Sequence, residues 1–303
     1  MEAWTGSIVR LLVAGSVLVG SEACIQGDLA DPEHQGRVER IIAVAPSVAE
    51  ILFELGLGER VVAVGDYVAW PPEATAKPRI GGLFDPRLED IVALAPDLAV
   101  VLPSEDKLAT ELSRLGIEVL RVEHETLADL ETAIESIARR AGVESRGREL
   151  VTRLRRSFDT GQNAPAEAKR AGGPRTVLVV AREEGRPAAM TVVGSRTFLA
   201  ELLERAGARN VFGDLGQSYA EVGLEEMIRR QPEAIVELQP DALSAAAQSR
   251  LIADWQDFPD LKAVDQGCVG VIAGGHVLVP GPRLALLAKE LEAVLERCEG
   301  AAR

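Results

Sequence analysis

Cysteine, histidine and aromatic residues are all scarce in this 303-residue chain, and each shortage removes a class of chemistry. Three cysteines are too few for a disulfide scaffold, and none are spaced as Cys-x-x-Cys. The three histidines, His34, His124 and His276, stand far apart. A transition-metal site of three or four His and carboxylate ligands would exhaust that supply, so neither a resident metal nor a cofactor is expected. Neither His124 nor His276 has a nucleophile beside it for acyl transfer. There is no Gly-x-x-x-x-Gly-Lys loop for nucleotide phosphates and no Gly-x-Ser-x-Gly elbow. Gly56-Leu57-Gly58 follows a helical stretch and precedes a strand, the reverse of the order a dinucleotide loop requires, and position 61 is Val. Basic residues are also in deficit: 33 Lys and Arg stand against 47 Asp and Glu, a formal net charge of −14, which phosphate backbones repel. No nucleic-acid partner is expected. No apolar run beyond the N-terminus approaches the ~18 residues of a bilayer-spanning helix.

Ordinary globular material is present instead. Apolar residues make up 47% and charged residues 26%, a mix that supports buried cores. At roughly 100–200 residues per domain the length implies two domains. Residues 1–23 read as a signal peptide: Arg10 precedes the apolar run Leu11–Val19, and Ser21-Glu22-Ala23 offers a small-x-small cleavage site. Cys24 follows at once, the position of a lipid-bearing cysteine; Ser21 and Glu22 depart from the usual lipobox. One lipid chain needs a second cue for stable anchoring. Residues 24–37, with Gly27, Pro32 and Gly36, read as a tether. The mature protein is expected outside the cytoplasm, periplasmic or at the cell surface, touching a membrane only through an anchor at Cys24.

From Arg40 onward, short apolar runs alternate with helical stretches, the pattern of parallel α/β structure. Strands are expected at Ile41–Ala45, Val61–Val64, Leu98–Leu102 and Ile117–Val122. Helices are expected from a Ser47-Val48-Ala49-Glu50 capping box to Leu55, and at Leu88–Ala95, Lys107–Leu115 and Leu127–Ala141. A second block has strands at Thr176–Ala181, Ala234–Leu238 and Val269–Ala273, with helices at Thr197–Ala206, Leu224–Arg230 and Arg283–Cys298. Between the blocks, Glu144–Phe158 reads as one amphipathic helix with Leu150, Val151, Leu154 and Phe158 on one face, and the segment to Pro174 as a loop. The domains are therefore an N-terminal lobe at 38–142, an interdomain helix and linker at 143–170, and a C-terminal lobe at 171–303.

The lobes carry an internal repeat. Leu88–Leu102 aligns without gaps on Leu224–Leu238 at an offset of 136 residues: a short helix beginning with an acidic pair, a proline stop, then an apolar strand. Ala49-Glu50-Ile51-Leu52 with Gly56 parallels Ala200-Glu201-Leu202-Leu203 with Gly207. Two lobes built on one plan place their acidic helix starts, Glu89-Asp90 and Glu225-Glu226, at equivalent positions.

Over residues 38–298 the sequence resembles the periplasmic substrate-binding proteins of ABC importers for vitamin B12, haem and iron–siderophore complexes, the class with two lobes joined by a single long helix. Arg40–Ser47 with Glu50 carries this resemblance, as do Tyr67 with Trp70-Pro71-Pro72-Glu73-Ala74, Leu88–Leu98, Gly207–Phe212, Val222–Pro232 and Gly281-Pro282-Arg283-Leu284. It implies two Rossmann-like α/β lobes with parallel-rich sheets, a ligand cleft between them, no enzymatic activity, and modest closure because one continuous helix resists bending. It also implies that Glu89 and Glu225 dock onto arginines of a permease. The helix dipole favours acids there, and Asp90 and Glu226 stand equally close. Gly223-Leu224 replaces the serine common before the second docking glutamate, so no side-chain cap is expected there.

The resemblance places Tyr67, Leu83, Phe84 and Tyr219 in the cleft, with His276 in the loop before the last helix. Asp66 and Arg196 are further polar candidates, whereas Trp70 and Trp255 are assigned to packing. Flat aromatics suit a corrin or porphyrin face. The expected ligand is a metal chelate, a corrinoid first and a ferric siderophore next, captured by a monomer for an ABC importer permease. Haem stands as an alternative, with Tyr67, Tyr219 or His276 as axial ligand. A two-lobe enzyme and a lipoprotein sensor without a permease are the readings from other classes. Cys268 and Cys298 are either a disulfide or two separate buried thiols.

Overall fold

The computed structural model describes residues 37–303 except Leu83, Phe84, 159–172, Arg186, Ala302 and Arg303. The signal peptide, most of the tether, Cys24, Leu83 and Phe84 therefore lie outside the described residues. The N-terminal lobe holds β1 (Ile41–Ala43), α1 (Pro46–Glu54), β2 (Val61–Val64), α2 (Pro72–Thr75), α3 (Leu88–Ala93), β3 (Leu98–Val101), α4 (Asp106–Arg114), β4 (Glu118–Arg121) and α5 (Leu127–Arg140). Its four strands are all parallel, in the order β2-β1-β3-β4. Then α6 (Glu144–Phe158) leads to the second lobe. That lobe holds β5 (Arg175–Arg182), β6 (Ala189–Val193), α7 (Phe198–Arg205), β7 (Arg209–Asn210), β8 (Tyr219–Gly223), α8 (Leu224–Arg230), β9 (Ala234–Gln239), α9 (Ala245–Ala253), α10 (Lys262–Asp265), β10 (Val269–Ala273) and α11 (Leu284–Ala301).

The second sheet runs β10-β9-β5-β6-β8, with β7 beside the first residues of β5. It is mixed, because β6 and β8 are antiparallel additions to a parallel set. Neither strand was expected from the sequence. Tyr219-Ala220-Glu221-Val222-Gly223 lacks a run of β-branched residues, and its pairing with β6 is a tertiary fact.

The repeat survives down to single hydrogen bonds. The residues closing α3 and α8, Ala95 (φ 44°) and Gln231 (φ 46°), are both left-handed and 136 positions apart. Two residues on, Asp97 and Glu233 accept from the backbone N–H groups of Arg40, just before β1, and Arg175, the first residue of β5. The guanidinium of Arg40 returns to Leu94 O, and that of Arg175 to Arg230 O, again 136 apart. Each cation thereby satisfies carbonyls at a helix C-terminus.

The expected capping box at Ser47–Glu50 does not form. The N-cap of α1 is Ala45 with Pro46 at the first helical position, and Ser47 and Glu50 are buried. Glu50 is turned to the other lobe. Its Oε1 accepts from Arg283 Nε at 3.0 Å and Nη2 at 2.5 Å, while Oε2 has no hydrogen-bond partner. Gly281 lies so close that a Cβ there would stand 2.7 Å from Glu50 Oε2. The repeat-equivalent Glu201 makes the reverse crossing, accepting from Leu127 N at the start of α5, and Phe198 N donates to Glu125 O beside it. Around these polar links one apolar cluster runs through both lobes, from Val38 through Leu130, Leu150 and Leu199 to Leu295. At the crossing of α5 and α6, Gly147 admits the backbone so closely that a Cβ would stand 2.5 Å from that of Ala138.

Cys268 and Cys298 are joined as a disulfide, tying the strand edge at β10 to α11. A bridge across 30 residues contributes about 3–4 kcal/mol by restricting the unfolded chain, and such bonds persist in oxidising compartments.

Two carboxylates give stability predictions. Burial raises the carboxyl of Glu50 above its ordinary range, against the pull of Arg283. Removing the cation leaves a buried charge unpaired. Arg283→Ala should therefore lower the unfolding free energy by about 3 kcal/mol at pH 8, and by less at pH 5 where Glu50 can protonate. Urea titrations at both pH values check this. Glu105, 2% exposed, has Oε2 on Leu102 N and an unpartnered Oε1, and burial pushes its pKa up to about 7 from 4.5. The folded chain holds that proton more tightly than the unfolded chain, so the group's contribution is full below pH 4.5 and is lost as pH rises through 7. Glu105→Gln should stabilise by about 2–3 kcal/mol at pH 8 and leave stability unchanged at pH 4.5, read as thermal midpoints.

Candidate functional site: the seam between the lobes

In parallel α/β sheets, ligand-facing loops follow the C-terminal ends of strands. In the first lobe these loops run from Gly65 to Trp70 after β2 and from Val122 to Thr126 after β4; in the second, the Gly274–Arg283 loop follows β10. The cross-lobe links through Glu50, Arg283, Glu125 and Glu201 join the same loops and the helices they open. Along that seam stand three exposed aromatics, Tyr67 (67% exposed), Trp70 (45%) and Tyr219 (40%), in a chain with only two tyrosines and three tryptophans.

Tyr67 is presented by a loop held from beneath. Arg79 Nη1 donates to Gly65 O and Val68 O, and a Cβ on Gly82 would stand 3.1 Å from Tyr67 Cε2. Asp66 is committed within that loop: Oδ1 accepts from Gly81 N and Oδ2 lies 3.7 Å from Arg87. Tyr219 comes from the opposite lobe, at the start of β8. Burial and the nearby Glu125 carboxylate raise its phenol above the ordinary tyrosine value, so it stays neutral across physiological pH. Arg196 is exposed with left-handed backbone (φ 56°) in the turn before α7, and has no partner among the described residues.

His276 does not stand open to the seam. Its side chain is buried, with Nε2 2.6 Å from Glu290 Oε2 on α11, so both groups brace the loop after β10. Trp255 is fully buried, donating to Glu237 Oε1 in a polar cluster with Arg182. Trp70 departs from its packing assignment. One face is covered by the Arg283 guanidinium, 5.2 Å from the ring centroid, and the residue is nearly half exposed. Arg283 thus fixes Trp70 from the second lobe while closing on Glu50. The Trp-Pro-Pro string was the available signal, since a cation–aromatic stack across lobes is invisible in sequence.

The second candidate surface is the pair of acidic helix starts, and here neighbours separate cleanly. Asp90 is engaged by Arg87 at 2.7 Å, and Glu226 by Arg229 and Arg230. Glu89 and Glu225, in the first turns of α3 and α8, are exposed and unpaired among the described residues. Each lobe therefore neutralises its second acid and leaves the first open. Gly223 caps α8 without a side-chain bond. Glu225 also lines a pocket of about 840 Å³ with Leu224, Asp257 and Phe258.

Comparisons with known proteins agree with this plan. A vitamin B12-binding protein from Vibrio parahaemolyticus serotype O3:K6 is 26% identical over 271 residues, covering 86% of this chain and 89% of that protein. Among solved structures, the periplasmic vitamin B12 binding protein of Vibrio cholerae superposes with a TM-score of 0.67 at 23% identity, covering 86% of this chain and 98% of the other. The periplasmic haem binding protein of the same species gives 0.72 at 22%, covering 84% and 98%. These likenesses establish the two-lobe fold. No helix among the described residues is long and apolar enough to cross a membrane. Residues 41–272 match the family described as periplasmic binding protein, and the chain belongs to that family.

Proposed function

We propose that this protein captures a corrinoid between its lobes, outside the cytoplasmic membrane, and delivers it to the permease of an ABC importer without transforming it. The observation that carries the reading is the placement of neutral aromatic faces from opposite lobes, Tyr67 and Trp70 on one side and Tyr219 on the other. Flat rings flanking one seam suit a large macrocycle, and each buried aromatic contributes about 1.5–3 kcal/mol.

The charge pattern supports a corrinoid over its rivals. An anionic ferric siderophore needs free cations, yet Arg79, Arg87 and Arg283 are all engaged, which leaves Arg196. Haem needs an axial ligand. His276 is turned to Glu290, which leaves the two tyrosines. The leader at 1–23, the lipid site at Cys24 and the disulfide support export, and Glu89 and Glu225 support docking of a monomer onto a two-fold permease.

Titration of the purified protein with cyanocobalamin, haemin and a ferric siderophore, followed by tryptophan fluorescence, should show cyanocobalamin binding tightest, with Kd below ~10 μM. Trp70→Ala and Tyr219→Ala should each weaken it about tenfold or more. Tighter haemin binding would replace the corrinoid reading, and conversion of a bound ligand to product would replace the binding protein with an enzyme. For docking, the double variant Glu89→Arg/Glu225→Arg should abolish permease-dependent uptake while cobalamin affinity stays unchanged. The double variant Asp90→Asn/Glu226→Gln should keep most uptake. Loss of ligand affinity in the first variant would remove the docking assignment, and full uptake in it would point to a sensor that works without a permease.

A further inference from the structure

The chain is strongly acidic, yet its positive charge is not spread evenly. Between Arg139 and Arg156 lie seven arginines and two glutamates, a local charge of +5 in a protein of −14. On the surface of α6 three of them, Arg148, Arg153 and Arg156, line a groove of about 800 Å³ together with Lys289 of α11, with Glu149, Ser145, Thr152 and Ser157 as the rest of the lining. Several of the arginines are neutralised: Arg140 by Glu118, Arg153 by Glu54 and Arg155 by Glu131. Arg148, Arg156 and Lys289, which line the groove, have no acidic partner among the described residues. Against the one groove acid, Glu149, three unpaired cations leave a net positive charge that folding does not consume.

The fold also fixes which part of the chain enters near this groove. Arg60 Nη1 donates both to Val38 O at 3.2 Å and to Ala141 O at 2.8 Å. Val38, near the start of the described residues, is thereby held beside the turn between α5 and α6, and Ser145 at the groove's end is the second residue of α6.

We infer that the α6 groove is a contact surface for anionic phospholipid headgroups, the second cue that a single lipid at Cys24 needs for stable association. The direction of this argument rests on the export reading proposed above, whereas the groove's charge does not. A polybasic patch near an anionic leaflet gains attraction for each cation, and that attraction falls away within a Debye length. The turn from α5 to α6 lies at the end of the first sheet where the chain enters β1, whereas α3 begins at the opposite end, where strands finish and Glu89 stands. A weak, salt-sensitive contact therefore suits this surface, since docking requires the other end to face the permease.

The test is co-sedimentation of the full-length chain with vesicles of phosphatidylcholine alone and of an equimolar mixture with phosphatidylglycerol. Binding should appear with the mixed vesicles, fall in high salt, and drop about tenfold or more in the triple variant Arg148→Glu/Arg156→Glu/Lys289→Glu. Both chains carry the same residues 1–36, so any vesicle affinity of that segment is common to them. A matched reversal at Lys107, Arg209 and Arg250 should retain binding, which separates the groove from net charge. Cobalamin titration of the triple variant reports folding and tests the capture reading independently. Equal binding to both vesicle types, equal loss in the two triple variants, or no binding by the unaltered chain would overturn the inference. So would a self-associated form, seen by ultracentrifugation, that the groove variant disrupts, or binding of inorganic phosphate without binding of vesicles.

Discussion

The buried pair of Glu50 and Arg283 is the constraint on which the rest of the structure depends. A carboxylate taken into an apolar core is costly unless a cation meets it, and here the cation comes from the other lobe. Geometry then propagates outward. Gly281 must lack a side chain, Trp70 acquires a charged seat, and the loop after β10 is drawn over α1. Glu201 repeats the crossing in reverse by accepting from Leu127 N, so each lobe sends one glutamate into its partner. With α6 and a shared apolar cluster, these links hold two α/β units in one mutual arrangement and set the seam.

The internal repeat explains why so much of the molecule is paired. Arg40 and Arg175, Asp97 and Glu233, Ala95 and Gln231 occupy matching places and make matching bonds. The same logic separates surface acids. Asp90 and Glu226 are spent on arginines of their own lobes, whereas Glu89 and Glu225 are left open at helix starts where the macrodipole favours negative charge. Charge left over after folding is the physical mark of a surface available to something else, and the α6 groove carries the same mark with the opposite sign.

The scarcity of aromatic residues proves informative once they are located. Both tyrosines and one of the three tryptophans stand exposed along a single seam, while Trp255 is consumed by a buried network with Glu237 and Arg182. Neutral flat surfaces with few free charges make the seam suited to a bulky, largely uncharged ring system. Partial desolvation and Glu125 across the seam hold the Tyr219 phenol above its already high ordinary value.

Periodicity alone determined most of the fold: the bounds of β2, α6, α8 and β10 follow directly from apolar spacing, and the repeat shows the two lobes to share one plan. It determined the acidic helix starts too, because dipole and composition act locally. What tertiary structure decided was every relation across the seam. Glu50 reads in sequence as half of a capping box, yet it is spent on Arg283, 233 residues away, because a proline already starts the helix and burial demands a cation. His276 reads as a cleft ligand, yet Glu290 takes it. Trp70 reads as packing, yet it stands exposed on Arg283. Strands β6 and β8 escape notice because their antiparallel pairing with each other and with β5 is set by tertiary neighbours more than by their own residues. Local free energy is written in neighbouring residues; desolvation and charge pairing depend on what folding brings close, and only the assembled lobes fix that.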